Sequence, residues 1–174
     1  MFDHFSTNPT DLTGLLSFAA ATIACLIATR RSQLPDTRTW KLLALINCLF
    51  LIEIHFGFRY RITAFAATLL RAEGLYAYMH GRIQEIIIIS VAAIALIFVT
   101  LFLFWRQVAG SATRVAAAIT IALLALFGIE TVSLHALDVV FYRPIGPVLM
   151  IAWLWVVAAA GICLAASRAD GRLE

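Results

Sequence analysis

The stretch Gly128-Ile129-Glu130-Thr131-Val132-Ser133-Leu134-His135-Ala136-Leu137-Asp138, with Tyr142-Arg143-Pro144 behind it, decides how the chain is read. It sets a carboxylate, two hydroxyls, an imidazole and a second carboxylate at the end of a long apolar run. That run, Val115 to Phe127, contains no charged residue. An ionisable side chain at membrane depth costs about 2.5–3.5 kcal/mol on insertion scales, so it marks a functional site by default. The stretch therefore announces a polytopic membrane protein with a polar cluster near one face.

Working outward, four more apolar runs have the length of a span, about 20 residues at 1.5 Å each. The first covers about 12–29 and opens with Asn8-Pro9-Thr10-Asp11: a capping residue, a proline suited to the first helical position and a carboxylate for the positive dipole end. Ser17, Ala21 and Cys25 make a small-residue stripe on it, which admits a close neighbour. The second covers about 40–58, with Glu53, His55 and Gly57 in its last turns and an exit through Arg59-Tyr60-Arg61. The third covers about 86–105, the fourth 115–134 and the fifth 148–166. Residues 61–73 are too polar to cross. Ile62, Phe65, Ala66, Leu69 and Leu70 share one helical face there, the pattern of a short helix lying in the membrane interface. Between the last two spans, Arg143-Pro144-Ile145-Gly146-Pro147 predicts a rigid turn, because the proline holds Arg143 extended. The fold expected is an all-α polytopic integral membrane protein, residues 1–174 forming one membrane domain of five transmembrane helices and one interfacial helix.

Composition agrees. Of 174 residues, 63% are hydrophobic and 13% charged, against about 25% charged in an ordinary globular domain. The net charge of +3 reads as a topology signal, with no basic-aromatic motif of a nucleic-acid reader. The N-terminus, Met1-Phe2-Asp3-His4, lacks the basic opening of a signal peptide, so the first run is expected to stay as a helix. Cys25, Cys48 and Cys163 stand alone in apolar runs, without a Cys-x-x-Cys pair, and read as packed thiols. Lys and Arg are denser in the 30–41 and 106–114 loops and the C-terminal tail. That predicts an outside N-terminus and a cytoplasmic C-terminus in a bacterial inner membrane.

With that topology Glu53, His55, Glu85, Glu130, His135 and Asp138 all fall in the outer half or at its boundary, near Arg59, Arg61, Arg82 and Arg143. Helical faces limit which of them meet. At about 100° per residue, Glu53 and His55 are about 200° apart, whereas His135 and Asp138 share a face. Two constellations follow: Glu53 with Glu130 and an arginine, and His55 with His135 and Asp138. Three readings compete for them. His55 and His135 are roughly level and could serve as axial ligands of a b-type haem. The carboxylates Glu53 and Glu130 with the histidines could bind a metal ion or relay protons, although the Glu-x-x-His spacing of di-iron bundles and the His-Glu-x-x-His zinc motif are absent. The leading reading is structural: ionisable groups paired at helix ends fix register and depth. No phosphate loop or nucleophile elbow is present. The expectation is a small non-enzymatic membrane subunit that packs against other membrane proteins. A redox, metal- or haem-binding protein is the alternative, and a small transporter comes third, since repeat symmetry is lacking.

Overall fold

The computed structural model describes residues 8–33, 36–74, 82–104, 110–132 and 135–169, with Arg82, residues 102–104, His135 and Ala136 described by backbone alone. Five helices are long and apolar enough to cross a membrane: α1 (Pro9–Arg31), α2 (Asp36–Phe56), α4 (Arg82–Phe104), α5 (Ser111–Val132) and α7 (Met150–Ser167). Helix α3 (Phe58–Ala72) follows α2, and a seven-residue helix, α6 (His135–Phe141), follows α5. Two short strands, β1 (Pro144–Ile145) and β2 (Val148–Leu149), precede α7.

Local chemistry sets the boundaries. The Asn8 side chain accepts from the Thr10 N–H at 3.1 Å and Pro9 takes the first helical position of α1. Helix α2 stops at Phe56 instead of running on to 58, because Gly57 is left-handed (φ 62°) and restarts the chain as α3 at once. Glycine adopts that conformation without the Cβ clash any other residue would meet. The segment expected at 61–73 thus begins three residues earlier. Helices α4 and α5 also begin a turn before the expected 86 and 115, while Trp105, Ser133 and Leu134 lie outside the described residues. The fifth helix starts at Met150, two residues late. Val148 and Leu149 pair with Ile145 and Pro144 in an antiparallel hairpin turned by Gly146 (φ 68°), so the expected rigid turn is a small hairpin.

Helices α1, α2, α5 and α7 close a four-membered ring, each packed on two of the others, and α4 packs on the outer side of α5. Along α1 the buried stripe is Gly14, Phe18, Ala21, Cys25 and Ala28. Ala21 and Cys25 belong to the small-residue stripe read from the sequence, but Ser17 is only half-buried beside it. Gly14 is the point of closest approach: a Cβ there would stand 2.6 Å from Ile54 Cδ1 and 2.8 Å from Trp155 Cε3. Helix-interior hydroxyls turn back on their own backbone, Thr22 to the Phe18 carbonyl (2.7 Å) and Thr120 to that of Ala116 (2.9 Å). This satisfies them without a polar partner in an apolar setting. The three cysteines are free, Cys25 buried and Cys48 and Cys163 half-buried.

The two ends of the ring differ. The N-termini of α1, α4 and α7 meet the C-termini of α2 and α5 at one end, called here the acidic end. There Thr10 Oγ1 accepts from the Leu149 N–H (3.1 Å), and Gln84 Nε2 donates to the Val132 carbonyl (3.4 Å). The opposite, basic end holds Arg30, Arg31, Arg38, Lys41, Arg114 and Arg168.

Candidate functional site

Each ring helix sends one aromatic side chain to a common point below the acidic end: Phe18 from α1, Phe50 from α2, Phe127 from α5 and Trp155 from α7. Phe50 and Phe127 stack at 4.6 Å and 9°, and Phe127 and Trp155 at 6.0 Å and 10°; Phe18 tilts against all three. One turn further along α2 and α5 come Glu53 and Glu130. The spacing is the same in both, Phe50-x-x-Glu53 and Phe127-x-x-Glu130, and residues three apart share a helix face. The two carboxylates therefore stand above the two stacked phenyl rings.

Arg59, in the first turn of α3, fills the space between them. Its backbone N–H donates to Glu53 Oε1 at 3.0 Å, closing the start of α3, which Gly57 cannot cap with a side chain. Its Nη1 donates to Glu130 Oε2 at 2.8 Å and lies 3.7 Å from Glu53 Oε2. The guanidinium carbon sits 5.2 Å from the Phe127 ring centre, 5.6 Å from that of Trp155 and 4.8 Å from that of Tyr60. The Arg59 side chain is 7% exposed, that of Glu53 19% and that of Glu130 0%. Two carboxylates thus share one cation in a site almost closed to solvent. Among the described residues, Glu130 Oε1 and Arg59 Nε have no hydrogen-bond partner.

Burial opposes the charge on Arg59, but Glu130, Tyr60 and Glu53 outweigh it and hold the guanidinium's pKa above its ordinary value. Arg59 Nη2 also donates to the Tyr60 hydroxyl (3.1 Å). Burial pushes the Tyr142 phenol above its ordinary range, and the neighbouring Tyr60 adds to that shift. Thr63 Oγ1, one turn along α3, lies 2.8 Å from the Thr131 carbonyl and donates there. Thr63 and Gln84 together satisfy carbonyls that the end of α5 would otherwise leave open.

The remaining candidates lie around this centre. Arg61, Glu85 and Arg143 are exposed. Asp138 is half-buried and within electrostatic reach of Glu130. His55 is exposed on the far side of α2 from Glu53, its ring edge-on to Phe56 at 4.7 Å. The side chain of His135, and with it the expected His135–Asp138 pair and the second haem ligand, lies outside the described residues, as does that of Arg82. Among the described residues no group of three His, Cys, Asp or Glu side chains is arranged to hold a metal ion. Trp153 and Trp155, read together from the sequence, separate. Trp155 is 1% exposed within the stack, whereas Trp153 is exposed and donates to the Ile145 carbonyl (3.2 Å).

The role of one residue, read from the sequence only as part of a short basic loop, went unnoticed. Asp36, at the start of α2, accepts from the Gly110 N–H (3.1 Å) and from Thr113 Oγ1 (2.9 Å), and so caps α5 from a neighbouring helix. No helical period predicts a partner so far along the chain. The repeated Phe-x-x-Glu in the second and fourth apolar runs was a legible signal for the acidic-end cluster. Comparison with known proteins finds no matching family model, no matching curated sequence and no matching solved structure.

Proposed function

We propose that the protein is a small integral membrane protein of five spans that works without catalysis, as an accessory or assembly subunit packed against a larger membrane complex. Helix α3 then lies in the outer interface, its exposed Phe58, Ile62, Phe65 and Leu69 on one face toward lipid. The density of Lys and Arg at the basic end favours a cytoplasmic C-terminus and the inner membrane of a bacterium. With Arg59 engaged by Glu130, the acidic end has only Arg61, Arg71 and Arg143 to set against it among the described side chains.

The observation that carries the reading is α4. It is the most apolar of the five long helices, yet none of its apolar stretch is buried within the chain. Ile86, Ile89, Ile94, Ile97 and Phe98 all face outward. The ionisable groups, meanwhile, are tied into an internal ion pair over aromatic rings, which suits a structural role better than a reacting centre. Mild solubilisation of native membranes tests this. The tagged chain should migrate in a larger assembly of fixed composition, and Ala93→Trp on the outward face of α4 should release it with its thermal melt unchanged. A chain that migrates alone, or only with copies of itself, defeats the proposal. So does a stoichiometric Soret band or bound metal that is lost in His55→Phe.

A further inference from the structure

We propose that Glu53 and Glu130 are a proton-binding site: the pair holds one proton in common, and Arg59 balances the single negative charge that is left. The count of charges carries this. Two carboxylates converge on one guanidinium nitrogen, Glu130 Oε2 at 2.8 Å from Arg59 Nη1 and Glu53 Oε2 at 3.7 Å. With both ionised the centre is net negative, in a place where the Glu130 side chain has no exposed surface and that of Glu53 has little. Two carboxylates that share a site repel each other, and burial penalises the uncompensated charge, so one of the two keeps a proton. The site also has atoms waiting for it. Glu130 Oε1 and Glu53 Oε2 are buried and, among the described residues, accept no hydrogen bond. An ionised carboxyl only accepts, whereas a protonated one also donates. One proton therefore removes both the excess charge and the excess of acceptors.

The neighbours bring no second cation to the centre. Asp11 on α1 lies within electrostatic reach of Arg59, and Asp138 on α6 within reach of Glu130, so the further charges acting here are negative. Tyr60 and Tyr142 bring phenol groups, and α7 brings the Trp155 ring. Glu85, at the start of α4, is exposed. Among the described side chains Arg59 is the buried cation, while Arg61, Arg71 and Arg143 are exposed to solvent. The Phe127 and Trp155 rings close the centre from below. Glu53 is therefore the way in: a proton from water at the acidic end meets Glu53 first, because Glu130 has no surface of its own. Once inside, the proton belongs to the pair and not to either residue.

Infrared spectroscopy of the full chain in mild detergent at about pH 7, where exposed carboxylates are ionised, tests the site. A protonated carboxyl gives a C=O band above the amide band, and the band moves down in D2O. The parent should show it at the intensity of one carboxyl per chain, calibrated on acetic acid in the same detergent. Glu53→Gln and Glu130→Gln, each checked by far-ultraviolet circular dichroism, should each abolish it, because the carboxylate that remains then matches Arg59 one to one. Glutamine keeps an oxygen acceptor for Arg59 at both positions. Should Glu130→Gln fail to fold, Glu53→Gln, at the more exposed member, decides alone. A parent without the band overturns the proposal. So does a band that survives in either folded glutamine variant, since a single carboxyl would then hold the proton by its own burial. A parent band that appears only when sodium is replaced by choline overturns it as well, because the occupant would be a sodium ion.

Discussion

Arg59→Met removes the cation at the acidic end and keeps nearly everything else. The methionine preserves the backbone N–H that donates to Glu53 Oε1, and its side chain still packs on Phe127 and Trp155. What is lost is the 2.8 Å bond to Glu130, whose side chain has no exposed surface, the longer contact to Glu53 and the bond to the Tyr60 hydroxyl. Breaking a buried pair by removing one partner costs about 3–5 kcal/mol, because the other charge stays buried and uncompensated. The cation over aromatic rings adds about 0.5–2 kcal/mol. Removing both partners should be far milder: Arg59→Met/Glu130→Leu leaves no orphan charge except Glu53, which keeps its backbone donor and some solvent. Unfolding in mixed micelles, followed by tryptophan fluorescence and far-ultraviolet circular dichroism, measures both. The single variant should lose about 3–5 kcal/mol and the double should recover most of it. A single variant within about 1 kcal/mol of the parent, or a double variant worse than the single, would refute the buried ion pair as the element that holds α3 on the ring.

Gly14→Ala should cost about 1–3 kcal/mol in the same assay, since its methyl group meets Ile54 and Trp155 at under 3 Å. A melt unchanged from the parent would mean that α1 does not approach Trp155 so closely. Tyr142 gives a pH dependence. Its folded pKa lies above the ordinary value of about 10, so its neutral form contributes stability that is full below about pH 10 and is lost as pH rises through the alkaline range. Tyr142→Phe should flatten that alkaline loss. For α3, a cysteine at Thr68 should react quickly with an impermeant maleimide and one at Thr63 slowly, after Cys25, Cys48 and Cys163 are replaced. Thr68 is exposed, whereas Thr63 is half-buried against α5. Equal rates would mean that α3 is not docked by that face.

Much of this architecture was legible because apolar run length is a strong signal. Runs of about 20 residues separated by charged turns leave few other arrangements. The pairing of Glu53 and Glu130 with an arginine also followed from which residues could share a side of the bundle. Which arginine was not legible. Arg59, Arg61 and Arg82 were equivalent in sequence, and what sets Arg59 apart is the left-handed turn at Gly57, which starts α3 at Phe58 and rotates Arg59 inward. Burial within the apolar helices was equally silent. Trp153 and Trp155 sit in a helix that is hydrophobic all round, so periodicity does not tell core from periphery. Asp36 read as part of a basic loop, because its partners Gly110 and Thr113 are close only after α5 has folded beside α2.

Helices that are apolar on every side can rotate or slide past one another with little change in buried apolar area, so directional polar contacts must set their register. Here α2 and α5 run parallel and are tied at both ends: Asp36 to Gly110 and Thr113 at the basic end, and Glu53 through Arg59 to Glu130 at the acidic end. The ties stand about 25 Å apart at 1.5 Å per residue. At that distance two sites normally add to within about 0.3–0.5 kcal/mol. These should not. Either tie alone still forbids sliding, whereas loss of both frees α2 to shift against α5. Asp36→Ala should therefore cost about 0.5–2 kcal/mol, as a lost helix cap does, and Arg59→Met the larger amount worked out above. The two together should cost more than the sum by at least about 1 kcal/mol. Disulfide trapping of engineered cysteine pairs across α2 and α5 should then find alternative registers in the double variant alone. Strict additivity, with a single register throughout, would show instead that shape packing of the aromatic stack fixes the two helices and that the polar ties only follow it.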